Sequence, residues 1–87
     1  MAIRYTVQKF AESGRWANPE GTDVWYCYNK QDVNDMFNDW GDTVDRYDNR
    51  QDAYLMVWCG ELDDVTDQCP DFQLRFGPRG GIHWNPC

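Results

Sequence analysis

KQDVNDMFNDWGDTVDRY, residues 30–47, decides how the rest of the chain is read. Val33, Met36, Phe37, Trp40, Val44 and Tyr47 recur at i, i+3, i+4, i+7, i+11 and i+14, which at roughly 100° per residue gathers them within an arc of about 100°. That spacing predicts an amphipathic helix with one face to bury. Asn29 is suited to the N-cap, and Gln31 and Asp32 fall in the first turn, where a side-chain acceptor and a negative charge suit the exposed amides. Gly41 could end the helix as a C-cap. The apolar stripe nevertheless continues in phase through Tyr47, so the reading is one helix over about 30–47, weakened at Gly41.

On either side of this helix the period changes from 3.6 to 2. Ile3, Tyr5 and Val7 alternate with Arg4, Thr6 and Gln8, predicting a strand over 3–10. The residues 12–15 and 17–21 are rich in turn formers, so the chain reverses there before a second strand over 22–28. In that strand Val24, Tyr26 and Tyr28 share one face, and Trp25 and Cys27 the other. After the helix, Ala53-Tyr54-Leu55-Met56-Val57-Trp58-Cys59 is apolar on both faces, as expected of a strand covered on both sides or central in its sheet. Phe72, Leu74 and Phe76 then alternate with Gln73 and Arg75, and Gly77-Pro78-Arg79-Gly80-Gly81 turns the chain into Ile82-His83-Trp84 as a hairpin. The order ββαβββ predicts a single α+β domain over residues 1–87, with an antiparallel sheet of four to five strands and one helix laid across it.

Composition narrows the function classes. The chain has 87 residues, too few to divide a core between two modules, and its 16% aromatic content argues against disorder. Its formal charge of -7 removes the electrostatic term that drives phosphate-backbone binding, so direct nucleic-acid binding is not expected. The start of the chain lacks the apolar core of a secretory signal, and the longest apolar run, Ala53 to Cys59, falls well short of the roughly 20 residues a membrane helix needs. The expectation is a soluble, cytoplasmic protein with no membrane partner. Cys27, Cys59, Cys69 and Cys87 match no CxxC spacing and are expected as free thiols.

The acids are concentrated. Residues 30–71 carry twelve acids and three bases, whereas residues 72–87 carry no acid and two bases. Asp32, Asp35, Asp39, Asp42 and Asp45 lie three or four residues apart, on the helix face away from the apolar stripe. Aspartate is a poor helix former, and each like-charged i, i+3 or i+4 pair costs on the order of 0.2–0.5 kcal/mol. A rigid row of carboxylates would suit a basic partner surface; the plainer alternative is a solvated face on which Arg46 and Arg50 pair back to Asp42 and Asp45. Asp63, Asp64 and Asp67 add a second acidic stretch, without the ligand order or central glycine of a calcium loop.

Other chemistry is thinly supported. His83 is the only histidine, and its nearest thiol in sequence, Cys87, is at the chain end, outside the rigid geometry catalysis needs. GPRGG lacks the spacing of a phosphate loop and is followed by a strand where that loop needs a helix. No catalytic residue, cofactor or metal site is expected. Trp16 and Trp84 are the aromatics least easily assigned to a core. Trp84 with Arg75 and Arg79 is an alternative contact surface on the last hairpin, set against the simpler reading that Trp84 packs on the helix.

Leu55-Met56-Val57-Trp58, the stretch Leu62-Asp63-Asp64-Val65-Thr66-Asp67 and the ending Phe76-Gly77-Pro78-Arg79-Gly80-Gly81-Ile82-His83-Trp84 resemble the C-terminal half of small uncharacterised accessory proteins encoded by phages of actinobacteria. The resemblance covers about residues 52–87. It implies a protein made in the cytoplasm of an infected bacterium, in a class that often redirects or inhibits host proteins, and it transfers no residue role. Together these readings lead to a non-enzymatic acidic protein-binding module. It would modulate a host protein with a basic surface through Asp32, Asp35, Asp39, Asp42, Asp45, Asp63, Asp64 and Asp67. Two alternatives are a nucleic-acid mimic using the same aspartates against a host DNA- or RNA-binding protein or defence nuclease, and a small thiol or metal protein using Cys59, Cys69, His83 and Cys87.

Overall fold

A computed structural model describes residues 2–12 and 23–87 of the chain. Among these, five strands and one helix follow in the expected order: β1 (Tyr5–Ala11), β2 (Trp25–Cys27), α1 (Lys30–Asp45), β3 (Ala53–Cys59), β4 (Phe72–Phe76) and β5 (Ile82–Pro86), with a 3-10 turn at Arg50–Asp52 before β3. The strands form one antiparallel sheet in the order β2-β1-β3-β4-β5. The α+β class therefore holds, with five strands. Trp16, the turn residues around it and Thr22 at the start of the expected second strand lie outside the described residues.

Because β1 runs between β2 and β3 and is antiparallel to both, β2 and β3 are parallel to each other, and α1 is the crossover that joins them. The register explains which side it covers. Val7 pairs with Trp25 and Val57, Leu55 with Leu74, and Leu74 with Trp84. This row meets Val33, Phe37 and Val44 of α1 in one core, and Val7, Val33, Phe37, Val44, Leu55, Val57 and Leu74 are fully buried. Burying such a side chain stabilises the fold by about 1.5–3 kcal/mol, so the helical stripe and the two-residue strand period specify the same interface.

The other face of the sheet explains why β3 is apolar on both sides. Thr6 and Trp58 point there, both buried, beneath the connection that runs from Gly60 to Asp71. Thr6 Oγ1 donates to Gly60 O (2.7 Å) and accepts from Leu62 N (2.9 Å); Trp58 Nε1 donates to Gln68 O (3.1 Å) and Tyr26 Oη to Leu62 O (3.0 Å). Val65, 3% exposed, is the apolar plug of this strap.

The helix is shorter than the stripe predicts. Arg46 is its C-cap, and the amides of Tyr47 and Asp48 both return to Val44 O, which turns the chain towards the 3-10 turn capped by Asn49. Tyr47 is consequently outside the core, at 64% exposure. The helix runs unbroken through Gly41, whose lack of a side chain admits a neighbour. The Phe76 ring, stacked on Phe37 at a centroid distance of 3.9 Å, lies where a Cβ on Gly41 would be.

Candidate partner-binding surfaces

The N-terminus of α1 is closed by reciprocal capping. Asn29 Oδ1 accepts from Asp32 N (2.8 Å), and Asp32 Oδ2 accepts from Tyr28 N (3.1 Å). Asp32 is thus half-buried and used to start the helix. The next four aspartates, Asp35, Asp39, Asp42 and Asp45, are exposed on the outer side of α1. Asp35 accepts from Gln31 Nε2 (2.8 Å), and Asp42 is paired with Arg50 Nη1 (2.5 Å). Arg50 also donates to Asn38 Oδ1 (3.1 Å) and lies 4.1 Å from the centre of the Phe76 ring. The expected return of Arg50 to Asp42 therefore exists and is anchored in the core. Among the described residues the carboxylates of Asp39 and Asp45 meet no cation.

Asp63, Asp64 and Asp67 occupy the strap on the sheet face opposite α1. They are not brought into one surface with the helical row, because the sheet lies between the two sets. Asp64 Oδ1 accepts from both the amide (2.9 Å) and the hydroxyl (2.5 Å) of Thr66, and these bonds hold its carboxyl below the usual range. Asp63 and Asp67 are exposed.

The hairpin residues are also parted. Trp84 turns to the helix side, where Nε1 donates to Asn34 Oδ1 (2.8 Å) and the ring makes edge contacts with Tyr5 and Phe72 and carries Lys30 Nζ at 5.4 Å. Arg75 turns to the other side, 4.7 Å above the Tyr54 ring and ion-paired with Glu12. Arg79 is at the exposed tip of the turn. Trp84, Arg75 and Arg79 do not form one contact surface.

The sulfur chemistry is similarly dispersed. Cys27 is buried beside the start of α1, and burial, reinforced by Asp32 and countered by Lys9, pushes its thiol up to about 11. Cys59, Cys69 and Cys87 are exposed and free. Burial, then the charge of Asp71 and a hydrogen bond to it, raises the Cys59 thiol as well. Neither Cys27 nor Cys59 has the lowered pKa that activates a nucleophile. His83 is exposed on β5 with its ring against Gly77, and Cys87 lies four residues further along an extended chain, about 13 Å away. Among the described residues, no three His, Cys, Asp or Glu side chains gather as a metal site.

Two features had no clear sequence signal. Lys9 Nζ lies 4.4 Å from the Trp25 ring and 5.8 Å from the Trp40 ring, with Trp40 fixed by its Nε1 bond to Phe10 O (2.9 Å). A shallow open cleft of about 330 Å³ is lined by Ala2, Arg4, Tyr28 and Asn29. Both depend on long-range register. Among the described residues no helix is long and apolar enough to cross a membrane. No family model, curated protein or solved structure matches the chain.

Proposed function

We propose that this protein is a non-enzymatic binding module that presents the outer face of α1 to a basic surface on another protein. The observation that carries this reading is the exposed succession of Asp35, Asp39, Asp42 and Asp45 on a helix whose other face is locked into the core. One turn of helix advances about 5.4 Å, so the carboxylates are presented at near-regular spacing on a support that does not rearrange on binding. Opposite charges steer encounter and set specificity, and the chain's net charge of -7 acts in the same sense. The resemblance of residues 52–87 to actinobacterial phage accessory proteins supports a host protein in the bacterial cytoplasm as the partner. Mimicry of a nucleic acid is the narrower form of the same reading, in which that partner's basic surface is its DNA or RNA site.

The test is affinity capture from a nuclease-treated actinobacterial lysate by the wild-type chain and by a variant carrying Asp35→Asn, Asp39→Asn and Asp45→Asn. Asp42 is left in place because it pairs with Arg50. A retained protein that is lost with the variant, and released as salt rises, supports the acidic face. Release of the same protein by duplex DNA identifies the mimic. Equal retention by wild type and variant excludes the helical row as the binding surface.

A further inference from the structure

We propose that the cleft lined by Ala2, Arg4, Tyr28 and Asn29 binds the carboxylate of a small organic acid, with the Arg4 guanidinium as its counter-ion. The walls are set by the backbone. Arg4 and Tyr28 are the next residues beyond the Tyr5–Cys27 pair, at the end of the β1–β2 ladder. Arg4 N donates to Cys27 O (3.0 Å), and Arg4 O accepts from Gly60 N (2.6 Å), so this side of the cleft is held from both neighbours. The other side is the start of α1, where Tyr28 N donates to Asp32 Oδ2 (3.1 Å) and Asn29 Oδ1 accepts from Asp32 N (2.8 Å). A site whose walls are already fixed loses little freedom when it fills.

The lining selects an anion. None of the four residues is acidic, and three carry donors: the guanidinium, the Tyr28 hydroxyl and the Asn29 side-chain amide, whose oxygen is already committed to the helix cap. Most of the other cations are engaged within the fold. Lys9, Lys30, Arg50 and Arg75 each lie against an aromatic ring, and the two arginines are also paired with Asp42 and Glu12. Among the described residues the Arg4 side chain makes no ion pair, hydrogen bond or ring contact. Arg46 and Arg79 are in the same position, but neither borders the cleft.

Charge and size define the ligand further. One guanidinium balances one negative charge, and the field of a chain of net charge -7 opposes a dianion twice as strongly, which favours a carboxylate over a phosphate. The guanidinium fork meets a carboxylate with two parallel bonds. The volume of about 330 Å³ lies at the lower end of the roughly 300–1,000 Å³ of small-molecule sites, and the exposed Tyr28 ring offers an apolar surface beside the charge. An aromatic acid answers both features. Because the cleft is open to solvent, binding is weak, with Kd on the order of 1 mM. The site uses none of Asp35, Asp39, Asp42 and Asp45, so it is independent of the acidic-face reading.

Titration of the isotope-labelled chain with benzoate, followed by nuclear magnetic resonance, tests the proposal. The Arg4 Nε–H and the Tyr28 and Asn29 amides should shift together and saturate, while the Nε–H of Arg79, on its exposed turn, should not follow. Benzamide, which has the same shape without the charge, should move none of them. Arg4→Gln removes the charge and none of the backbone bonds; it should weaken benzoate at least about tenfold, and Tyr28→Phe about fivefold. Phosphate should bind less tightly than benzoate. An N-acetylated dipeptide with a free C-terminus separates the sources of the carboxylate: tighter binding than benzoate identifies a peptide end, weaker binding a free acid. No saturable shift up to about 50 mM benzoate, equal shifts at Arg4 and Arg79, an equal response to benzamide, tighter binding of phosphate, or undiminished affinity in Arg4→Gln would overturn it.

Discussion

Gly41 is where the packing of α1 is least negotiable. Alanine is favoured over glycine by roughly 1 kcal/mol inside a helix, so Gly41→Ala would stabilise an isolated α1. In the fold, an added Cβ would lie 2.5 Å from Phe76 Cε2 and 3.0 Å from Arg50 Nη1. The ring is buried, stacked on Phe37, with the Arg50 guanidinium 4.1 Å from its centre. Overpacking of this kind costs about 1–3 kcal/mol, so Gly41→Ala is expected to lower stability in urea denaturation despite its better propensity; higher stability would show that the ring moves aside freely. Cys27 gives a second prediction. Its folded pKa, about 11, exceeds the unfolded value of 9.0, so above pH 9 the unfolded chain releases a proton that the native chain keeps. Its contribution is complete below pH 9 and is lost as pH rises to about 11, up to roughly 3 kcal/mol. Urea denaturation across that window should fall more steeply for wild type than for Cys27→Ala. Parallel slopes would mean that the buried thiol does not titrate this way.

At the scale of elements, α1 is tied to the last hairpin by a polar contact inside an apolar one. Trp84 covers the edge of the core, and Asn34 accepts its indole N–H. Asn34→Ala leaves that half-buried donor without its partner, with an expected cost of about 1 kcal/mol and a change in tryptophan emission; unchanged stability and emission would show that water replaces Asn34. That Trp84 packs on the helix was one of the two readings the sequence offered and is the one the structure shows; that Asn34 receives its indole N–H was not legible. The face that Trp84 occupies depends on the register of β5 against β4, and Asn34 gains a partner only when α1 crosses that strand. By contrast, the stripe from Val33 to Val44 and the doubly apolar Ala53–Cys59 were legible because each pattern is local and repeats within one element. The helix end was not, since Tyr47 keeps phase with the stripe while the backbone has already turned at Arg46. The acidic row divides in the same way. Its common helix face follows from spacing alone, but its separation from Asp63, Asp64 and Asp67 follows from the face on which the Gly60–Asp71 connection crosses the sheet.

For the molecule as a whole, the row of aspartates sets binding and stability against each other. Four like-charged i, i+3 or i+4 steps join Asp32 to Asp45, and Asp45 lies in the last turn, where the helix dipole disfavours negative charge. Replacing Asp35, Asp39 and Asp45 with Asn removes all four repulsive steps at nearly equal helix propensity, and it spares both the Asp32 cap and the Asp42–Arg50 pair. Stability should rise by on the order of 1 kcal/mol at low salt, and thermal melts should show this gain shrinking as salt screens the repulsion. In the same variant, capture of a basic partner should be lost. A surface that serves only solubility gives no reason for capture to change with these three charges, whereas a binding surface can be maintained at a cost to folding. Higher stability with lost capture assigns the row to recognition. Higher stability with capture intact leaves it as a solvated face and moves the search to the strap around Asp63 and Asp67.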